Sequence, residues 1–383
     1  MFKKSLVAVA ALATFSAGAM AANVELYGVV DMGFSYTHTS HQEKGDKFEM
    51  SQNMYAGSRF GFRGTEDLGD DLTVGFILEN GFTPDTGAMA VSDTIFNRES
   101  QLYLKGSWGQ LGFGRVGAFT SGSSSLGWYW DLEPFETGYI DAGVQASQVN
   151  VWRLNSNTVY YVSPVFAGFK VGAQYSMTGA ADPDVQEDSR WSENNNFGNV
   201  ALRWDGANAR AILGVEWDKY GKEEQGKRDD AWSVKLAGAW VPNGGAVTLY
   251  AGASWYKNQD RFSDSTYDDD GFLTDYYDES GKRLDAYSFF VGGKYTVGAA
   301  NWLAMFQYLD GENKGTIDGA PEKDFKRYIA SVGCHYYFSK RTMLYTIASF
   351  ADGDGIFDTV KHDDGGGAKS DRFMAHVGLT HFF

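Results

Sequence analysis

One cysteine, Cys334, among 383 residues leaves no partner for an intrachain disulfide and no thiolate set for a closed zinc site. Proline is scarce, six in all, so few positions force a break in regular structure. Basic residues are outnumbered: 33 Lys and Arg against 49 Asp and Glu give a formal charge of −16, which excludes a grip on nucleic acid as the main business. No stretch after the first residues approaches the roughly 20 apolar residues of a spanning helix. That excludes a helical membrane protein and leaves a membrane barrel open, because a barrel dilutes its apolar face with a polar lumen face at every second residue. What the chain has in quantity is 27 Phe, 22 Tyr, 11 Trp and 47 Gly, too much apolar surface for a disordered chain.

The beginning reads as an address. Lys3 and Lys4 precede the apolar stretch Leu6 to Ala13, and Ala19-Met20-Ala21 has the small-residue pattern of a signal-peptidase site. Residues 1–21 are expected to be a secretory signal, with residues 22–383 as the mature chain.

Beyond it the pattern has period two. Val24, Leu26, Val30, Met32, Phe34 and Tyr36 line one face of the first segment; Glu25, Asp31 and Ser35 fall on the other, the signature of a strand. The alternation recurs in Ala209 to Asp218, Trp232 to Trp240 and Val247 to Trp255, with Arg210, Glu216, Asp218 and Lys235 among the residues of the opposite face. Such charges do not fill the dry core of a sandwich. Connections alternate between short ones, such as Asp205-Gly206 and Ser339-Lys340, and long polar ones, such as 118–148 and 258–283. The segments they punctuate number about sixteen, which predicts an all-β, transmembrane antiparallel β-barrel with tight turns on one rim and long loops on the other. Aromatics at segment ends, including Trp128-Tyr129-Trp130, Trp204, Trp217, Trp240, Trp255 and Trp302, suit the two membrane interfaces, with a share left to pack inside or under loops.

The segments Leu26-Tyr27-Gly28-Val29-Val30-Asp31, Gly57-Ser58-Arg59-Phe60-Gly61-Phe62-Arg63-Gly64, Phe76 to Phe82, Gly106 to Arg115 and Phe166 to Ser176 resemble the Gram-negative general porins of the neisserial and betaproteobacterial type. The resemblance covers essentially all of residues 22–383. It implies a trimeric, water-filled outer-membrane channel that passes small hydrophilic solutes and ions passively, with short periplasmic turns and long extracellular loops. The implied partners are two further copies of the chain, outer-membrane lipid and lipopolysaccharide, and the barrel assembly machinery, with no cofactor. It makes the terminal Phe383 the assembly signal; Phe382 stands where the family usually has a basic residue.

The same resemblance folds the third long loop into the lumen. That loop carries Asp131, Glu133, Glu136 and Asp141 with no Lys or Arg between 118 and 148, and the four carboxylates are expected to form the acidic wall of a constriction. The basic wall is expected from Arg59, Arg98 and Arg153 at the narrowest point, with Arg63, Arg115 and Lys170 nearer the vestibules. Arg59 and Arg63 alternate with Phe60 and Phe62, and Lys170 with Phe169 and Val171, so all three point inward if the apolar residues face lipid. The acidic outer loops, including Asp268-Asp269-Asp270, and the net charge favour cations, while the arginines favour anions.

Other motifs carry less. Gly112-Phe-Gly114-Arg-Val-Gly117 spells a nucleotide-binding fingerprint inside an alternating strand, with no helix to hold a phosphate. Asp352-Gly-Asp354-Gly355 begins like a calcium loop, but Phe357 stands where the turn needs glycine. His38, Ser40 and Asn53 compose, on paper, the triad of an outer-membrane hydrolase. Two further readings of the same barrel are a channel specific for sugars or organic ions, suggested by Trp128-Tyr129-Trp130, and a surface adhesin.

Overall fold

The computed structural model describes residues 23–40, 46–122, 124–137, 141–149, 153–177, 195–220, 229–259, 283–314, 324–354, 360–361, 367–368 and 371–383. The expected leader, the acidic run 268–279, Trp191, His41, His362 and Phe357 lie outside the described residues.

The chain runs through strands β1 (Asn23–Thr39), β2 (Asp46–Gln52), β3 (Arg59–Gly69), β4 (Leu72–Thr83), β5 (Ala88–Met89), β6 (Glu99–Gly106) and β7 (Gly109–Gly117). There follow β8 (Leu154–Val162), β9 (Phe169–Ser176), β10 (Asn196–Asp205), β11 (Ala209–Lys219), β12 (Ala231–Trp240), β13 (Val247–Gln259) and β14 (Leu284–Val297). The last are β15 (Ala300–Asn313), β16 (Asp324–Tyr337), β17 (Thr342–Asp354), the short pair β18 (Val360–Lys361) and β19 (Gly367–Ala368), and β20 (Arg372–Phe382).

Each long strand pairs antiparallel with the next, and β1 pairs with β20 from Val29↔Phe382 to Thr39↔Arg372, which closes the sheet on itself. Phe383 completes the seam: its N–H donates to Gly28 O at 3.0 Å and its carbonyl accepts from Gly28 N at 3.1 Å. β1 pairs with β2 over Met32–His38 and with β3 over Asn23–Val29, so β2 and β3 form one barrel strand broken at residues 53–58. Counting them as one, and setting aside β5, β18 and β19 in the loops, the barrel has sixteen strands, as the segment count predicts.

The break has an identifiable cause. Asp31 is fully buried on the inner face of β1; its carboxylate accepts from the N–H groups of Met54 (3.0 Å) and Ala56 (3.4 Å) and from the hydroxyls of Tyr345 (3.0 Å) and Thr380. Four donors from three parts of the chain satisfy a carboxylate that burial otherwise penalises, and they draw segment 53–58 inward.

The two faces of the sheet invert the order of a soluble protein. The apolar side chains are the exposed ones, Phe34 at 45% and Val332 at 60% for example, while Ser35, Glu79, Asn199, Glu216, Lys235 and Gln307 are buried on the inside. A belt of exposed apolar residues around a closed sheet requires lipid, not water, as its solvent. Trp240, Trp255 and Trp302 stand exposed on this outer face, as interface aromatics do.

The interior departs from a uniformly polar, wet lining. Ile212, Phe290, Leu309, Ile329 and Tyr345 point inward and are wholly covered. The cover is the loop between β7 and β8, which brings its own apolar side chains, Phe119, Trp128, Tyr129, Leu132, Phe135 and Val144, into one cluster with much of that wall. Trp128 and Tyr129 therefore belong to the packing between loop and wall rather than to a membrane interface.

Candidate functional site

The loop from Ala118 to Arg153 touches the inner faces of strands on opposite sides of the barrel. At its start Phe119 N donates to Asn199 Oδ1 of β10 at 2.9 Å, and Thr120 bonds Glu216 of β11. Ser125 donates its N–H and hydroxyl to Glu99 of β6 at 2.6 and 2.7 Å. Gly172 and Gly214 are the wall's accommodation to this stretch. A Cβ at Gly172 would lie 2.7 Å from the Phe119 and Trp128 rings, and one at Gly214 closer still to Thr120.

Asp131, in the single 3₁₀ turn Trp130–Leu132, is held by two arginines. Arg203 of β10 grips it in a fork, Nη1 to Oδ1 and Nη2 to Oδ2, both at 2.9 Å, and Arg210 of β11 lies 3.0 Å away. A bidentate guanidinium–carboxylate pair fixes orientation as well as position. Farther along, Glu136 faces Lys294 of β14 at 3.6 Å, and the Thr137 hydroxyl donates to Met54 O in the inward break.

The far half of the loop closes on Asp141, fully buried. Its carboxylate accepts from Arg372 of β20 at 2.8 and 2.5 Å and from Arg327 of β16 at 3.0 Å; its carbonyl accepts from Gln307 of β15. Burial works against this carboxylate, but the guanidinium groups of Arg372 and Arg327 hold it below the usual range.

The expected basic residues sit elsewhere. Arg59 and Arg98 do come together, on Glu79 of β4 rather than on the loop: Arg98 Nε lies 2.6 Å from Oε1 and Arg59 Nε 3.3 Å from Oε2. Arg63 faces inward near the turn-bearing rim, paired with Glu25 at 2.7 Å. Arg153 reaches Asp218 at 2.5 Å and lies 4.0 Å over the Phe197 ring. Lys170 lies inward, its ammonium 4.5 Å over the Trp128 ring.

Three expectations need correction. Arg115 does not face the interior: in the ladder it opposes Ser100, on the same side as exposed Phe113, and it donates to Asn97 O and Ser156 Oγ. The parity of Phe113, two residues earlier, carries the signal that turns it outward. Glu133 is buried and spends both oxygens on its own loop, accepting from Phe135 N at 2.9 Å and Thr137 N at 2.7 Å, so burial raises its carboxyl well above the ordinary range. Asp141, likewise buried, anchors the loop and presents no carboxylate to water. The water-accessible acids of the loop are Asp131 and Glu136, with side chains 42% and 23% exposed.

Sequence reasoning missed the basic residues that hold the loop: Arg203, Arg210, Lys294, Arg327 and Arg372. Parity carries a signal for the first, since Arg203 stands between Leu202 and Trp204 on the face opposite the apolar one. A buried ion pair, Lys235 Nζ to Glu216 Oε1 at 3.0 Å, also lies beneath the loop's first turn.

The hydrolase triad is not assembled. His38 pairs with Asp46 at 2.7 Å, Ser40 Oγ accepts from Asp371 N, and Asn53 Oδ1 accepts from Ser58 N. Among the described residues no group of three or more His, Cys, Asp or Glu is placed to hold a metal ion.

Known proteins match this architecture and its sequence. The family described as Gram-negative porin matches residues 8–355. An outer membrane porin protein of Bordetella pertussis is 31% identical over 94% of this chain and 97% of its own length. The major outer membrane protein P.IB of Neisseria sicca is 26% identical over the full length of both. Among solved structures, the anion-selective porin from Comamonas acidovorans superposes with a TM-score of 0.66 at 23% identity, over 95% of this chain and all of that one. These are channels of the Gram-negative outer membrane, not enzymes. The chain belongs to the Gram-negative porin family, as an outer-membrane β-barrel.

Proposed function

We propose that the protein is a passive diffusion pore for small hydrophilic solutes and ions, narrowed where the loop 118–153 crosses the barrel interior. The observation that carries this reading is the double anchorage of that loop inside the barrel, at Asp131 by Arg203 and Arg210 and at Asp141 by Arg327 and Arg372. A segment pinned at two places to the inner wall cannot swing out, so solutes pass between it and the remaining wall. The charged side chains that keep contact with water there include Arg59, Arg210, Lys294, Asp131 and Glu136.

Guanidinium groups stay charged at any working pH, and carboxylates set against them across a narrow aqueous gap impose a transverse field. Polar solutes align in it and keep their hydrogen bonds; apolar ones must break ordered water without compensation. Trp128 and Tyr129 are buried between loop and wall, and Trp130 is the partly exposed member of the three, which favours general diffusion over a continuous aromatic track. On family grounds the working unit is a homotrimer in contact with lipid and lipopolysaccharide, delivered by a leader over residues 1–21 and assembled through its terminal Phe383.

Single-channel recording of the protein in a planar bilayer under a KCl gradient tests the reading. Ohmic steps arriving in threes are expected. A correctly folded, β-rich protein that passes no current would overturn it.

A further inference from the structure

We infer that the interior holds an anion-binding station near the turn-bearing rim, separate from the Arg59–Glu79–Arg98 group and built by Lys170 and Arg210 on either side of Arg203. The inference rests on the pore reading for its access route but concerns a site of its own.

The three cations lie on adjacent strands near their turn-side ends: Lys170 opposes Arg203 across β9 and β10, and Arg210 opposes Asp205 across β10 and β11. Arg203 is saturated. Its Nε and Nη2 donate to Asp205, Nη1 and Nη2 to Asp131, and Nη1 also to Trp128 O, which accounts for all five guanidinium N–H groups.

Its neighbours are not. Arg210 uses only Nε, toward the carbonyl and the carboxylate of Asp131, so the N–H groups on its two terminal nitrogens have no acceptor among the described residues. Among the described residues Lys170 has no carboxylate within 4.0 Å, and its ammonium lies over the face of Trp128. An ammonium over an indole is held in place electrostatically while its N–H donors remain available. Both side chains are only partly buried, Arg210 with 33% of its side chain exposed.

Charge bookkeeping agrees with the donor count. Lys170, Arg203 and Arg210 supply three positive charges; Asp131 and Asp205 supply two negative ones, leaving one cation uncompensated. Asp205 is held by Arg203, and Asp131 is shared between Arg203 and the Nε of Arg210, while the unused donors are the Lys170 ammonium and the terminal nitrogens of Arg210. Donors without acceptors around an excess positive charge suit a small oxyanion, phosphate or the carboxylate of an organic acid, which accepts several charge-assisted hydrogen bonds at once.

Inorganic phosphate is the probe. Titrated at constant ionic strength against KCl currents through the wild-type protein, it should reduce them saturably, and isothermal titration of the detergent-folded protein should show the same binding without reference to conduction. K170Q should raise the half-effect concentration at least tenfold and move the KCl reversal potential toward cations; K170R should keep both near wild type. A conducting wild-type channel indifferent to phosphate, or a K170Q protein with wild-type phosphate affinity, would overturn the station. If K170Q does not fold, loss of calorimetric binding in folded R210Q supports the inference, and unchanged binding there overturns it. Phosphate binding in a protein that carries no current would sustain the station and defeat the pore reading instead.

Discussion

Asp141 meets Arg372 across 231 residues of sequence, the carboxylate of a loop against the guanidinium that opens the last strand, through bonds of 2.8 and 2.5 Å. Arg327 joins the same carboxylate from β16, so one buried anion bridges two strands and holds the far half of the inserted loop.

Asp141→Asn should therefore release that half of the loop. Breaking a buried pair from one side costs about 3–5 kcal/mol. The barrel ladder should persist while open-channel current noise and protease sensitivity within 118–153 increase. Currents as quiet as wild type, with the loop still protected, would show that apolar packing alone holds it.

Glu79 is the common partner of Arg59 and Arg98, with Tyr27 OH donating to it as well. Glu79→Gln should remove the negative charge that the two guanidinium groups share and move the reversal potential toward anions in a KCl gradient. Arg59→Gln should move it the other way. The same sign of shift in both variants would contradict the assignment of Arg59 to the water-facing wall.

Glu136 supplies a pH dependence. Burial raises its carboxyl above the ordinary carboxylate range in spite of Lys294, with Asp131 adding to the rise and Arg210 opposing it. As pH falls, Glu136 takes up its proton before an ordinary carboxylate does, which leaves Lys294 uncompensated and increases anion preference in mildly acid solution. Reversal potentials measured from pH 7 to 4.5 should show this step in wild type and lose it in Glu136→Gln. An identical step in the variant would assign it to another group.

The barrel was legible in the sequence because a two-sided strand repeats one decision along its length: Phe60 and Phe62 outward put Arg59 and Arg63 inward, and the ladder agrees. The loop was legible as an acidic segment, and its insertion followed from family resemblance. Its partners were not legible. Which inner-wall cation meets Asp131 depends on the path of about thirty residues across the interior, and no local periodicity encodes that path. Arg203, Arg210, Arg327 and Arg372 each occupy an inward position in their own strand, so parity selects them as candidates; only the fold says that two face Asp131 and two face Asp141. Arg115 shows the converse failure: the parity of Phe113 turns it outward, and the family resemblance alone puts it on the inner wall.

On the proposed reading, the loop 118–153, clamped inside the barrel at Asp131 and Asp141, sets the width of the passage. Replacing residues 121–148 with a short Gly/Ser linker and recording single-channel conductance and reversal potential tests it most directly. A several-fold larger conductance and a reversal potential moved toward zero are expected. Conductance and selectivity equal to wild type, in a protein with intact β-structure, would contradict it.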